Sequence, residues 1–388
     1  MSIFIFIVIL LVLVLVHEAG HFFAAKRFGI RVDEFGFGFP PKLFGFKKGE
    51  TEYTINLLPL GGFVKIYGEN IEEADFVEVG FLDKKDDNTI INESSRSLAY
   101  KPKWQQAIVL FAGVLANFIL AWILFSFGFM SGLPTSVGSE RAGYALSDIN
   151  LVVVSVLAKS PAENAGLKIG DKIVEISIPS SSNSNDYLKA PNPDQLKNYI
   201  ISHASVVTER NPISISYIRG NMQVTSVPVV PQRNNTNTVP TIGISMDMIG
   251  IARLPFFVAL WEGMKLDLSM TKNTVVGLYA LVSEGIMGKG SFASVTGPVG
   301  MVSIVGDAYQ FGFVYLLSFA ALISINLAII NLLPFPALDG GRLFFLFIEK
   351  IKGSRINPKI TNTANMVGFG LLIFLMLIVT YHDVVKLF

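Results

Sequence analysis

Four long apolar runs divide the chain, and each is roughly as long as a helix that crosses a bilayer. They cover residues 3–25, 107–130, 311–338 and 366–381. A spanning helix needs about 20 predominantly apolar residues. The first run is interrupted only by His17, Glu18 and His21. The pattern predicts a multi-pass α-helical membrane protein with about four transmembrane helices.

Residues 138–248 follow a different pattern and predict an inserted β-rich domain. A β-branched run at 151–157 precedes a short helix that begins near Ser160 and Pro161, and a Gly turn then leads to a strand at 172–176. Two further runs, at 212–218 and 222–230, flank Arg219-Gly220-Asn221 in the manner of a hairpin. The domain lies between an N-terminal membrane part, residues 1–137, and a C-terminal membrane part, residues 249–388.

The segments next to the apolar runs carry three further patterns. Residues 53–66 form two extended stretches hinged at residues 59–62. Residues 69–97 are acidic and polar, as in a solvated insertion, and their role is open. Residues 251–290 mix apolar and charged positions, so they either lie along the membrane surface or form a plain helix against the β-rich domain.

The composition narrows the class of protein. Apolar residues make up 51% of the chain, charged residues only 16%, and mean hydropathy is +0.52. A soluble domain carries about 25% charge, so a wholly soluble or disordered protein is disfavoured. The net charge of +1 and the lack of a nucleic-acid motif argue against a nucleic-acid partner. With no cysteine, thiolate zinc sites, disulfides and Cys nucleophiles are excluded.

Basic residues predict the orientation in the membrane. The loop after the first run begins with Lys26 and Arg27, and the loop after the third run contains Arg342, Lys350 and Lys352. Lys and Arg accumulate in cytoplasmic loops. These two loops are therefore expected in the cytoplasm, with both termini and the β-rich domain outside.

The first apolar run contains a metal-binding pattern. His17-Glu18-Ala19-Gly20-His21 fits H-E-x-x-H, in which two histidines one helical turn apart face the same way. Both imidazoles can bind one zinc ion, and Glu18 can take a proton from a zinc-activated water. Charged and polar side chains within an apolar span are costly unless they have a function.

A catalytic zinc site needs a third protein ligand, and Asp339 is the candidate. It follows the third run and precedes Arg342, just as His21 precedes the basic pair of the first loop, so both are expected near the cytoplasmic ends of their spans. A helix-end acid at the interface is the alternative for Asp339. For Asn331 the alternatives are an interhelical hydrogen bond and a contact to the substrate backbone or to the oxyanion.

These motifs together resemble the site-2 protease family of intramembrane zinc metalloproteases, and most closely the bacterial proteases of that family that regulate sigma-E. The resemblance covers nearly the whole chain. The resemblance rests on the following motifs: the H-E-x-x-H motif, Gly36-Phe37-Gly38, residues 53–66, Phe111-Ala112-Gly113 with Asn117-Phe118, a PDZ-like stretch at 160–176, Thr296-Gly297-Pro298-Val299-Gly300, and Asn331 to Gly341 with Pro334 and Pro336.

The resemblance implies one Zn²⁺ held by His17, His21 and Asp339, with Glu18 as the catalytic base. It also implies that residues 53–66 form a membrane-associated β-hairpin that guides the substrate. The substrate-binding residues that it implies are Asn331, Pro334, Pro336, Tyr53, Ile55, Gly61 and Gly62. The substrates would be single-span membrane proteins already trimmed outside the bilayer, such as anti-sigma factors and signal-peptide remnants. The expected place is the bacterial cytoplasmic membrane, with the active site near its cytoplasmic side. The oligomeric state stays open.

Two departures concern access of the substrate. The family usually has Gly-Pro where this chain has Gly113-Val114, and the chain has room for one PDZ-like domain instead of two. That domain either captures peptides or excludes substrates that keep a bulky outer part. The alternative function is a membrane-anchored PDZ binding module with a non-catalytic zinc site, and a zinc transporter would need more polar positions across the spans.

Overall fold

The computed structural model describes residues 1–69, 95–138, 145–178, 187–203, 207–208, 211–220, 222–232, 240–288 and 296–385. The insertion expected at residues 69–97 lies outside this range except at its ends. The described chain forms two compact units. Unit 1 comprises residues 1–125, 260–306 and 318–388, and unit 2 comprises residues 126–259 and 307–317.

Long helices form most of unit 1. The helices of the chain are α1 (Ser2–Arg27), α2 (Lys103–Ser131), α3 (Pro161–Asn164), α4 (Pro193–His203), α5 (Phe256–Ile286), α6 (Pro298–Phe311), α7 (Phe313–Leu332), α8 (Asp339–Lys352) and α9 (Pro358–Val385). Within the described ranges, α1, α2, α7 and α9 are long and apolar enough to cross a membrane. This agrees with the four predicted runs, although the third helix ends at Leu332 and the fourth begins at Pro358, earlier than its apolar run.

Close packing joins the helices of unit 1. Gly20 allows α1 to approach α2, because a Cβ at this position would lie 2.3 Å from the carbonyl oxygen of Ala112. Further along, Ala121 of α2 packs against Ala321 and Ile325 of α7, and all three are fully buried. Partly buried side chains of α5 complete this cluster, so residues 256–286 form a helix that packs on two others.

Unit 1 also contains a small sheet formed by β1 (Val32–Lys48) and β2 (Thr51–Ile66), which pair antiparallel and turn at residues 49–50. Both strands bend, so residues 35–37 pair with residues 53–55 on one side and with residues 62–64 on the other. Residues 44–47 pair with the far side of residues 52–55. The order across the sheet is therefore 44–47, 52–55, 35–37, 62–64.

This order corrects the hairpin expected within residues 53–66. Its two stretches do not pair with each other, because residues 35–37 lie between them. The segment that connects the two stretches passes around the end of residues 35–37. There Asn56 Nδ2 donates a hydrogen bond to the carbonyl oxygen of Gly38 at 3.0 Å. Gly38 has φ +78°, and a Cβ there would lie 2.6 Å from the Leu58 carbonyl oxygen, so the connection needs a glycine. Gly36-Phe37-Gly38 therefore belongs to a strand at the centre of this sheet.

Unit 2 is built on a seven-stranded sheet. Its strands are β3 (Leu133–Ser136), β4 (Ser147–Val156), β5 (Lys172–Ser177), β6 (Tyr187–Lys189), β7 (Ile213–Ile218), β8 (Thr225–Val229) and β9 (Ile244–Ala252). Their order is β3-β9-β4-β5-β7-β8, with β6 on β5. The predicted hairpin is confirmed, since Ile213 pairs with Val229 and Tyr217 with Thr225. The sheet extends beyond the expected limits of 138 and 248, because β3 and the end of β9 pair with each other.

Candidate metal centre

Two histidines of α1 and one carboxylate converge in unit 1. His17 and His21 lie one turn apart, are 6% and 7% exposed, and bring their Nε2 atoms to 3.2 Å. Asp339 Oδ2 lies 2.9 Å from His17 Nε2 and 3.3 Å from His21 Nε2. The structure therefore brings together the three residues that the sequence proposed, although 322 positions separate the first from the last.

The spacing of these atoms suits a tetrahedral zinc ion. Zinc bonds of about 2.05 Å in a tetrahedron hold the ligand atoms about 3.3 Å apart. The three observed separations, 2.9, 3.2 and 3.3 Å, are close to that value. Two imidazole nitrogens and a carboxylate oxygen are also donors that zinc accepts, and three ligands leave one position open. Among the described residues, this is the one group of three or more His, Asp or Glu close enough to hold a metal.

Helix α2 contacts both histidines at Nδ1, the ring nitrogen that faces away from Asp339. His21 Nδ1 lies 2.8 Å from the carbonyl oxygen of Val109, so Nδ1 carries the proton and the Nε2 lone pair faces the centre. His17 Nδ1 lies 3.3 Å from Asn117 Nδ2. Gly113 provides the space for the His21 ring, because a Cβ there would lie 2.3 Å from Nε2.

A tight turn between α7 and α8 positions Asp339. Gly340 and Gly341 pack directly on the backbone of this turn, since a Cβ at either position would lie 2.2 Å from a carbonyl oxygen. Ala337 has a left-handed φ of 73°, and its N–H donates to Asn365 Oδ1 at 3.1 Å. The carboxylate is therefore held by a strained turn in which only glycine fits at the two positions after it.

Glu18 lies beside the three residues in a cavity of about 440 Å³. Its Cγ is 3.8 Å from where a Cβ on Gly62 would stand, and Val64 lines the same cavity. Residues 63–66 form one wall of the cavity, and His21, Asp339 and Arg342 lie on its other sides. Arg342 forms an ion pair with Glu69 at the edge of the cavity. Glu18, two of the three converging residues and a strand edge thus share one cavity.

The remaining residues of the predicted site lie at different distances from this centre. Gly62 is next to Glu18, whereas Gly61 contacts Phe39, and Tyr53 stacks on Phe46 with ring centres 5.4 Å apart. Ile55 is 49% exposed and, like Tyr53, belongs to the stretch beyond residues 35–37. The strand edge at the cavity is therefore residues 63–66, not Tyr53 or Ile55.

The three residues predicted before Asp339 lie in or near its turn. Asn331 is in the last turn of α7 and is half-buried, and in the part of the chain that the structure describes its side chain makes no hydrogen bond. Pro334 is exposed, and Pro336 packs against Gly368 of α9. His203 lies on α4 in unit 2, with its Nδ1 2.9 Å from the carbonyl oxygen of Tyr199.

Sequence reasoning did not assign Gly113 or Asn117 to the site, and it included residues 63–66 only as part of the broader stretch 53–66. Asn117 carried a signal, because it is one of the few polar residues in the second apolar run. Gly113 had no such signal, and nothing in the sequence separated residues 63–66 from the rest of that stretch, since both assignments depend on contacts with distant elements.

Comparison with known proteins gives a consistent result over the whole chain. Residues 5–375 match the family described as Peptidase family M50. A protein of Clostridium perfringens provisionally named as a zinc metalloprotease is 34% identical over 372 residues, which cover 96% of this chain and 95% of the relative. Zinc metalloprotease RasP of Geobacillus kaustophilus is 30% identical over 450 aligned positions, which cover 100% of this chain and 98% of the relative.

Proposed function

Because the chain belongs to Peptidase family M50, which contains the site-2 zinc metalloproteases, we propose that it is an intramembrane zinc endopeptidase. Its substrates would be single-span membrane proteins whose outer parts have already been removed. The observation that carries the proposal is the convergence of His17, His21 and Asp339 beside Glu18. Both histidines lie on α1, a helix apolar enough to span a membrane, and Asp339 follows the end of α7, another such helix. In this reading the three residues hold one zinc ion.

Glu18 is the general base of the proposed reaction. When bound, zinc supplies Lewis-acid chemistry, which polarises the scissile carbonyl and makes water more acidic. The Glu18 carboxylate takes a proton from the attacking water and then delivers it to the nitrogen of the leaving amine. Its position in the same cavity as two of the proposed ligands, His21 and Asp339, supports this role. The Asn331 amide, which has no hydrogen bond within the described ranges, would contact the substrate backbone or the oxyanion.

The strand edge at residues 63–66 is the proposed substrate guide. One edge of this stretch pairs with β1, while the other lines the cavity next to Glu18. A transmembrane helix hides its peptide groups in hydrogen bonds, so it must unwind before cleavage. The unwound segment could then add to the free edge as a further strand. Val64 of this stretch and Glu18 line the same cavity.

The position of the β-rich sheet in the chain supports a role in selecting substrates. We place it outside the membrane and propose that it excludes substrates that keep a folded outer part. The active site would lie near the cytoplasmic side of a bacterial inner membrane. The basic residues Lys26 and Arg27 at the end of α1 support this orientation.

Cleavage of a defined substrate tests the proposed activity. Purified protein in liposomes is mixed with a single-span peptide that has no outer domain, and the products are sized by mass spectrometry. We expect a cut within the apolar segment, and we expect Glu18→Gln to slow it by about 10²-fold or more. Glu262→Gln on α5 is the matched control and should cleave normally. Full activity of Glu18→Gln, or a cut only outside the apolar segment, would refute the proposal.

Metal analysis of the same preparations tests the zinc ligands. Wild-type protein and Glu18→Gln should each contain about one zinc per chain, because Glu18 is not a proposed ligand. Asp339→Ala should lose most of the zinc, and His203→Ala should keep it. If His203→Ala loses zinc while Asp339→Ala keeps it, the assignment of Asp339 is wrong.

A further inference from the structure

We propose that Asn117 is a positioning residue for the zinc site. Its side-chain oxygen would accept the Nδ1 proton of His17 and so leave the His17 Nε2 lone pair for the metal. The inference rests on the zinc site proposed above and concerns a residue outside the three ligands.

Asn117 is wholly enclosed beside His17. It lies on α2 and is 0% exposed, and its side-chain amide is 3.3 Å from His17 Nδ1. Its backbone carbonyl accepts a hydrogen bond from Ser324 Oγ at 2.8 Å, which ties this point of α2 to α7. The side-chain oxygen of Asn117 is buried, and it has no hydrogen-bond partner among the described residues. A buried amide oxygen without a partner is costly, so its presence needs an explanation.

The proton positions of the two histidines explain it. A metal bound between the two Nε2 atoms requires a lone pair on each, so each ring must carry its proton on Nδ1. For His21 this is already decided, because Nδ1 faces the Val109 carbonyl, which can only accept. For His17 the group facing Nδ1 is the amide of Asn117. That amide must therefore present its oxygen when the metal is bound.

The orientation in the structure is the opposite one. With the amide nitrogen toward Nδ1, the His17 proton is on Nε2 and points at Asp339 Oδ2, 2.9 Å away. A half-turn of the amide exchanges two groups of nearly equal shape and moves the unpartnered oxygen onto Nδ1. Asn117 can thus support His17 both without metal, as a donor, and with metal, as an acceptor.

Three variants separate this role from a structural one. Asn117→Leu keeps the approximate volume but cannot accept a hydrogen bond. Asn117→Asp keeps an acceptor and loses the donor. Ser324→Ala removes the hydrogen bond to the Asn117 backbone and leaves the amide intact, so it is the matched control. The zinc dissociation constant of each full-length protein is measured by competition with a chromogenic chelator, and thermal unfolding is followed with and without zinc.

We expect Asn117→Leu to bind zinc 10- to 100-fold more weakly, the usual effect of losing a partner of a metal-bound histidine. Asn117→Asp and Ser324→Ala should stay within about threefold of wild type, since each keeps the acceptor. The zinc-free proteins should unfold at similar temperatures, with the difference appearing only when zinc is added.

Each outcome separates this inference from the proposed function. Failure of the wild-type protein to bind zinc would refute the zinc site itself. Tight zinc binding by wild type and by Asn117→Leu alike would overturn only the role of Asn117, as would equal weakening by the Asp and Leu variants. If Asn117→Leu does not fold, Asn117→Asp decides, with retained affinity supporting the acceptor role and a tenfold loss refuting it.

Discussion

Gly113 of α2 offers the sharpest test of the site, because one methyl group there reaches a proposed ligand atom. A Cβ at Gly113 would lie 2.3 Å from His21 Nε2 and 2.7 and 2.8 Å from two neighbouring ring carbons. Non-bonded heavy atoms are at their optimal separation at about 3.5 Å or more. In Gly113→Ala the imidazole must therefore move by about 1 Å. We predict that this variant loses zinc while the helix around it stays intact.

A shift of the His21 ring by about 1 Å is large compared with the tolerance of a metal site, but it does not disturb the backbone of the helix. Ligand distances in metal sites are held to about ±0.2 Å, so a shift of about 1 Å removes His21 as a ligand. Loss of a mere supporting contact weakens metal binding by about 10- to 100-fold. We therefore expect at least about 100-fold for a displaced ligand, or about 2.7 kcal/mol. Alanine also favours the helix over glycine by about 0.5–1 kcal/mol, which offsets part of the strain in the zinc-free protein.

The assay is a zinc competition titration on the purified variant, with thermal unfolding of the zinc-free protein alongside. Gly128→Ala is the matched control on the same helix, since its Cβ would meet only the end of the Leu133 side chain, at 3.0 Å. The control should bind zinc like the wild-type protein. Zinc binding by Gly113→Ala within threefold of wild type would refute the packing argument and the place of His21 in the site.

Three further predictions concern stability and topology. Burial raises the pKa of Asp267 on α5 to about 6, so the free energy of unfolding falls as pH rises from about 4 through 6 and the buried carboxyl group loses its proton. Asp267→Asn removes the cost of this buried charge, up to about 3 kcal/mol, and should raise the melting temperature at pH 8. An unchanged melting temperature would contradict this. In unit 2, fully buried Asp171 accepts two 2.7 Å hydrogen bonds from Arg219. Asp171→Ala should therefore lower the free energy of unfolding, measured with denaturant, by about 3–5 kcal/mol, and a decrease of less than about 1 kcal/mol would contradict this. Because the chain has no cysteine, single cysteines at exposed Ser226 and Ser354 can be labelled in intact cells; the first should react from outside and the second only after permeabilisation, and the reverse pattern would invert the orientation.

Local spacing determined the parts of the site that the sequence could predict. The positions of His17 and His21 follow from helical periodicity, because residues four apart on a helix share one face whatever surrounds them. The four helices that are long and apolar enough to span a membrane follow from apolar length alone. Asp339 was predictable because the Pro and Gly residues around it mark a break in an apolar run, and an acid at such a break lies near the end of its span.

Only the tertiary structure decided which distant surfaces meet these residues. The free strand edge at the cavity is residues 63–66, because a third stretch of chain inserts between the two halves that the sequence suggested as a hairpin. Gly113 and Asn117 matter because α2 packs closely against α1, which no spacing along either helix reveals. Strand pairing and helix contact join residues far apart in the chain, and their geometry depends on the shapes of both partners together. The sequence of this protein therefore determined the chemistry of its proposed metal site, and the fold determined the walls, the supports and the substrate edge around it.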